Sequence, residues 1–164
     1  MTPRPPRNAA FLTSPMFGRD LRANYASHDG RHENLDLESD SEATLYGLRR
    51  GLETITGVDN AVQAIVHRIK TRLGELSDLG HPDYGSRHHE LIGQPNTVHN
   101  RNLVKLYILQ ALAREPRIEE VTLAKLDFDP LRDRDKVNLI LTLQLIDSPV
   151  PANLVIPFSF GGSL

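Results

Sequence analysis

The sequence predicts an α+β domain: two main helices and a short helix packed on a small, mostly antiparallel sheet whose carboxy-terminal strand is an exposed edge. Three observations carry this reading. Apolar residues recur at helical spacing from Val58 to Leu73 and again from Val98 to Ala113. After Pro116 the period switches to two. Pro157 then interrupts the last apolar run, and a proline inside a strand belongs at the rim of a sheet, where its missing N–H costs no ladder bond.

Residues 1–40 read as an extended amino-terminal arm, and residues 41–164 as the domain. The arm carries Pro3, Pro5, Pro6 and Pro15 among mixed charges, and its apolar residues follow no period. Phe11-Leu12 and Met16-Phe17 are the expected anchors by which it docks. The β-branched end of Leu45–Thr56 predicts a strand.

The first long helix is expected over Asp59–Leu73. Val58, Val62, Ile65, Val66, Ile69 and Leu73 share a face, Asp59 is the cap and Gly74 the stop. Arg68, Lys70 and Arg72 suit the negative pole of the helix dipole as solvated charges. The following loop, Gly74–Ser86, is rich in glycine, and Tyr84 and Leu79 are expected to brace it under the helix. Gly80, Pro82, Asp83, Tyr84 and Gly85 mark its special backbone geometry. Ser86 caps a short helix running through Ile92. His81, His88 and His89 with Asp83 and Glu90 are metal-ligand types, but adjacent helical histidines point about 100° apart and these three include no His-x-x-x-His pair. No metal site is expected.

The second helix is predicted over Thr97–Arg114, capped by Asn96 or Thr97. Val98, Leu103, Leu106, Tyr107, Leu109, Gln110 and Ala113 sample its buried side. Pro116 stops it, which leaves Glu115 and Arg117 on a stiff, extended link. Such a link lowers the entropy cost of immobilising long charged side chains against a partner. A plain helix stop decorated with solvated charges fits the same residues.

Val121, Leu123 and Lys125 then alternate with Thr122, Ala124, Leu126 and Phe128, and Asp129–Asp133 turns the chain. The clearest strand follows, with Val137, Leu139, Leu141, Leu143 and Leu145 on one face. The last run, Asn153–Phe160, is either a plain edge strand with a frayed tail or a template for β-augmentation.

Composition narrows the function classes. A formal charge of -2 with intermixed signs lacks the basic stripe of a nucleic-acid binder. No cysteine is present, so neither a disulfide framework nor thiolate chemistry is available, which fits a reducing cytoplasm. The first residues lack the apolar stretch of a signal peptide, and no uncharged apolar run reaches about 18 residues, so no direct membrane insertion is expected. Neither a Gly-x-Ser-x-Gly elbow nor a phosphate loop ending in Gly-Lys-Ser/Thr occurs.

From Val58 to Phe160 the order of helix, Gly-Glu loop, Pro82-Asp83-Tyr84-Gly85, short helix, second helix, Glu115-Pro116-Arg117, two strands and Asn-Leu-Val-Ile-Pro-Phe resembles the baseplate wedge family of contractile phage tails. That family includes a type VI secretion baseplate subunit and relatives in extracellular contractile injection particles. The wording Leu-Gly-His-Pro-Asp-Tyr-Gly-Ser is more similar to the injection-particle branch.

The resemblance implies a structural subunit with no cofactor and no catalytic residue. It also implies assembly in the bacterial cytoplasm, in six copies per particle by the family's symmetry, beside the hub and spike proteins. Glu115, Pro116 and Arg117 match the motif that contacts the larger wedge proteins. Arg117 is then expected to bond a partner carboxylate or helix carbonyls, while Glu115 orients it or pairs with a partner cation. Leu154, Val155, Ile156, Pro157 and Phe158 match the segment that joins strands with the first sheath ring. The arm is longer than the family pattern. Two alternatives remain: a generic adaptor of another complex, or a lysozyme-like glycosidase. The latter needs two carboxyl groups flanking a sugar cleft, for which Glu75, Asp78, Asp83 and Glu90 are candidates. With no tryptophan and few aromatic residues, the chain has little surface for stacking sugars.

Overall fold

The computed structural model describes residues 17–24, 36–37, 39–44, 47–131 and 133–161. The chain forms two compact units, residues 1–63 and 64–164.

The first unit is built of short antiparallel pairs. Strands β1 (Arg19–Leu21), β2 (Ala23–Asn24), β3 (Asp36–Leu37), β4 (Ser39–Thr44), β5 (Gly47–Leu52) and β6 (Thr54–Thr56) pair as β1 with β6, β2 with β3 and β4 with β5. The strand expected within residues 45–56 is thus present as β5 and β6, and residue 40 falls inside β4. Helix α1 (Gly57–Lys70) starts in this unit, and two of its buried amides hold the strand at the other end. Asn60 Nδ2 donates to the Phe17 carbonyl at 2.6 Å. Gln63 satisfies both sides of its amide where β1 passes into β2, donating to Leu21 O at 2.8 Å and accepting from Ala23 N–H at 2.9 Å. A buried amide is costly unless paired, so this double bond fixes Phe17–Ala23 against α1. Phe17 is buried, whereas the other expected anchors, Phe11, Leu12 and Met16, lie outside the described residues.

In the second unit α1 ends at Lys70, so the helix begins two residues before its expected cap and stops three residues short. Asp59 therefore lies in the first turn, where its carboxylate suits the helix dipole. Two short 3-10 turns follow, Ser77–Leu79 and His88–Leu91. Leu79 does not brace the loop: it is 73% exposed. Helix α2 (Val98–Leu112) is capped by Thr97, whose Oγ1 accepts from Asn100 N–H at 3.1 Å. Its buried stripe is Val104, Ile108, Ala111 and Leu112, while Val98, Leu106, Gln110 and Ala113 face water. The expected face was wrong because α2 is apolar nearly all round, so periodicity cannot choose a side.

Strands β7 (Ile118–Asp127), β8 (Lys136–Leu145) and β9 (Ala152–Ser159) form one antiparallel sheet in the order β7-β8-β9. Val137, Leu139, Leu141, Leu143 and Leu145 are all essentially buried, as their period-two pattern requires. Strand β7 departs from simple alternation. Register shifts between Ile118 and Glu120 and between Val121 and Leu123 turn Leu123 outward and bring Val121, Ala124 and Leu126 to one side. The α+β class is observed, with β9 at the open rim of the sheet. No helix among the described residues is long and apolar enough to cross a membrane.

The rim strand is anchored through its aromatic residues. Phe158 and Phe160 are buried edge to face, with ring centroids 4.9 Å apart. Phe158 also meets the partly buried His88 ring at 5.7 Å. His88 Nδ1 lies 3.0 Å from Ser86 Oγ. Desolvation, then the charges of His89 and Lys70, push the His88 pKa down to about 4. In the unfolded chain it titrates near 6.5, so the unfolded state binds the extra proton first. Stability from this group is complete above about pH 6.5 and is lost as pH falls toward 4, by up to about 3 kcal/mol. Urea unfolding of wild type and His88→Gln should therefore show a steeper loss between pH 7 and pH 4.5 in the wild type. Equal slopes would contradict the neutral, packed imidazole.

Candidate functional site

The end of α2 determines where the charges of Glu115-Pro116-Arg117 go. The helix tightens as Arg114 N–H bonds Ala111 O and Glu115 N–H bonds Leu112 O at 3.0 Å. Pro116 then takes the second position of a turn closed by Ile118 N–H on Glu115 O at 3.1 Å. The link is thus a tight turn, not the extended segment expected, because the fixed φ of proline suits this position as well as it suits a strand. Arg117 O accepts from Ile146 N–H at 3.0 Å, so the backbone of Arg117 is pinned to the segment after β8.

The Glu115 side chain turns inward and is only 4% exposed. Its Oε2 accepts from Arg68 Nε at 2.8 Å, and its Oε1 faces Arg117 Nε at 3.7 Å. Arg68 is 11% exposed and Arg117 30%. Arg68 is therefore not the solvated helix-end cation its sequence position suggests. A helix-dipole argument places positive charge near α1's carboxy terminus but says nothing about a carboxylate 47 residues away. Glu115 has its counter-ions within its own chain.

The loop before the short helix closes over the same cluster. The Arg68 guanidinium lies 4.4 Å from the centroid of the Tyr84 ring, a cation–π stack. Burial is the main cause that raises the Tyr84 pKa; Glu115 adds to it, and Arg68 and Arg117 oppose it. Arg114 Nη1 reaches toward Asp83, 3.5 Å from its carbonyl and 3.6 Å from Oδ1. Asp83 itself is 84% exposed. Arg68, Gly80, His81, Pro82, Asp83, Tyr84 and Arg114 line an open pocket of about 490 Å³. Pro82-Asp83-Tyr84-Gly85 and the Glu115 turn, 31 residues apart at Asp83 and Arg114, thus meet in one place.

The histidine-rich stretch serves packing. His88 faces Phe158, His89 Nδ1 lies 3.0 Å from Ser86 O, and Glu90 is held by Arg87 at 2.8 Å. Among the described residues no three His, Cys, Asp or Glu side chains converge on a point.

Of the rim residues, Leu154 and Phe158 are buried, Ile156 is half-buried, and Val155 and Pro157 face outward. Phe160 N–H donates to Asp135 O at 2.8 Å, on the β8 side. Antiparallel alternation then points the backbone of Asn153, Val155 and Ser159 toward the open edge, with Pro157 filling a position that needs no donor. At the far end the Phe160 carbonyl accepts from Gly93 N–H at 2.7 Å.

Gly85 holds the loop in register. Its φ is +110°, and a Cβ there would lie 2.6 Å from Arg72 O and 2.7 Å from Thr71 O. The close approach allows Ser86 N–H to bond Thr71 O at 2.9 Å and Leu73 N–H to bond Ser86 O at 3.1 Å. Gly85→Ala should lower unfolding free energy by about 2–4 kcal/mol and lift Tyr84 away from Arg68. Denaturant unfolding together with the near-ultraviolet tyrosine signal would check both effects.

No family model matches the chain. No curated protein matches it either. Among solved structures it is similar to a protein described as a putative tail lysozyme from Geobacter sulfurreducens, with a TM-score of 0.54 and 20% identity over 65% of this chain and 93% of that one. At that identity the likeness is one of fold, and the chain has the fold of that tail protein.

Proposed function

We propose that this chain is a structural baseplate subunit of a contractile, phage tail-like injection system. It docks on the larger baseplate wedge proteins through the Glu115-Pro116-Arg117 turn and offers the β9 edge to the first sheath ring. The observation that carries this reading is the meeting of Glu115-Pro116-Arg117 with Pro82-Asp83-Tyr84-Gly85 around one ion cluster, on a fold shared with a tail protein. Neighbouring hub and spike proteins, six copies per particle and assembly in the bacterial cytoplasm belong to the same proposal, as does a role without catalysis.

The neighbour's name raises the glycosidase alternative. Its general acid needs a carboxyl kept protonated in an apolar pocket. Glu90 has its pKa lowered, first by its hydrogen bond from Arg87. Glu75 accepts from the Arg72 amide at 3.0 Å, and Asp83 stands in water. These settings favour the structural reading.

Two substitutions separate the two docking elements. Arg117→Ala removes the outermost cation of the cluster, and if that cation is desolvated on docking it should weaken wedge binding by about 2–5 kcal/mol. Electron microscopy of the producing cells, with soluble protein checked, should show loss of baseplates and sheathed particles; intact particles would overturn the docking role. For the edge, removing Leu154–Leu164 would also remove the buried Leu154, Phe158 and Phe160, so a milder change is needed. Val155→Pro deletes one outward N–H and leaves the buried side chains alone. Folded protein with baseplates but without sheath is expected, and sheaths of normal length would contradict strand pairing at this edge.

A further inference from the structure

Four side chains form a chain of contacts: Tyr84 stacks on Arg68, Arg68 bonds Glu115, and Glu115 faces Arg117. Its middle is dry and both of its ends reach toward water, Arg117 partly exposed and Tyr84 half-buried on the wall of the open pocket. The two inner ions are nearly excluded from water and satisfy each other at hydrogen-bond distance, whereas Arg117 has its backbone fixed by Ile146 and its guanidinium partly in solvent. Arg114, on the wall of the pocket that Arg68 and Tyr84 also line, is half-exposed, and among the described residues its polar contacts are the long ones to Asp83. The cluster of Arg68, Glu115 and Arg117 sums to one positive charge, and that charge emerges at Arg117. A buried carboxylate already closed by its own chain has no open face for a partner's cation.

We propose that Arg68 is the positioning residue of this site: it holds Glu115 as an internal buttress, so that the partner is met by the cations Arg117 and Arg114 and supplies a carboxylate side chain to them. This rests on the docking role proposed above and divides its labour. Glu115 works inward and does not touch the partner, although it stands in the same tripeptide as Arg117. Charge-assisted bonds from a pre-positioned arginine fork to a carboxylate are the strong, directional kind, and prior fixation of the fork lowers the ordering cost on docking.

The test compares full-length Arg68→Gln, Glu115→Gln and the double variant Arg68→Gln/Glu115→Gln, with Arg117→Ala alongside. Particles are counted by electron microscopy, and the purified proteins are unfolded in urea. Arg68→Gln should cut particle number about tenfold or more, since breaking one side of a buried pair leaves an uncompensated ion. It should also unfold at lower urea than wild type, and the double variant should recover most of that loss. A merely structural substitution at Arg68 would not be rescued by a second change at Glu115. The double variant, which removes both charges, should return particle number to within about threefold of wild type. A double variant that folds but assembles no better than Arg68→Gln would overturn the proposal, because the partner would then need the carboxylate itself. So would a double variant that recovers none of the stability lost in Arg68→Gln. If the double variant does not fold, the apolar pair Arg68→Met/Glu115→Met, which leaves neither ion orphaned, decides: folded protein with particles supports an inward Glu115, and folded protein without them overturns it. Normal particles from Arg117→Ala would instead defeat the docking role, while the urea measurements still report on the Arg68–Glu115 pair.

Discussion

The bond between Arg68 and Glu115 joins the last turn of α1 to the turn that follows α2, and the surrounding structure is organised to keep it dry. Burying two ions carries a desolvation cost of several kcal/mol for each, which mutual attraction offsets only when the geometry is close and the remaining polar atoms are satisfied. Here Tyr84 covers one face of the guanidinium, and Arg117 takes the second carboxylate oxygen at longer range. Gly85 lets the loop come within reach of the α1 carboxy terminus. An apolar pair of the same volume could hold the two helices as well. What the ion pair adds is direction, because a 2.8 Å contact fixes the rotation of the turn and therefore where Arg117 leaves the surface.

The same economy governs the other half of the molecule. Asn60 and Gln63 are buried amides on α1 whose partners are backbone atoms of Phe17, Leu21 and Ala23, so α1 uses polar groups at both ends for fastening. Its apolar residues Ile65 and Ile69 are almost wholly buried. A helix that alternates apolar packing with fully satisfied polar contacts specifies its neighbours more narrowly than one that is apolar along its whole inner face.

The legible parts of the sequence were those where one face is buried and the period is simple. Strand β8 is the best case, since five alternate residues from Val137 to Leu145 could face only one way. The existence of both helices, the helix stop at Pro116 and the rim position of Pro157 were legible for equally local reasons. Helix α2 was located but rotated wrongly, because apolar residues lie on several of its faces. Strand β7 was misaligned because a bulge changes parity without leaving a mark in composition. Arg68 was missed for a different reason: its role is created by a contact 47 residues away, and no local pattern distinguishes it from Lys70 or Arg72. The pieces of the site were thus visible, and the ion pair that joins them was not.

Pro157 has a consequence for how the sheet can grow. A strand laid along β9 finds outward donors at Asn153 and Val155, then a gap at Pro157, and one further donor at Ser159. The open edge therefore offers an uninterrupted run of donors only at its amino-terminal half. Two copies meeting rim to rim would each present the same gap, which denies them the continuous ladder that runaway strand pairing requires.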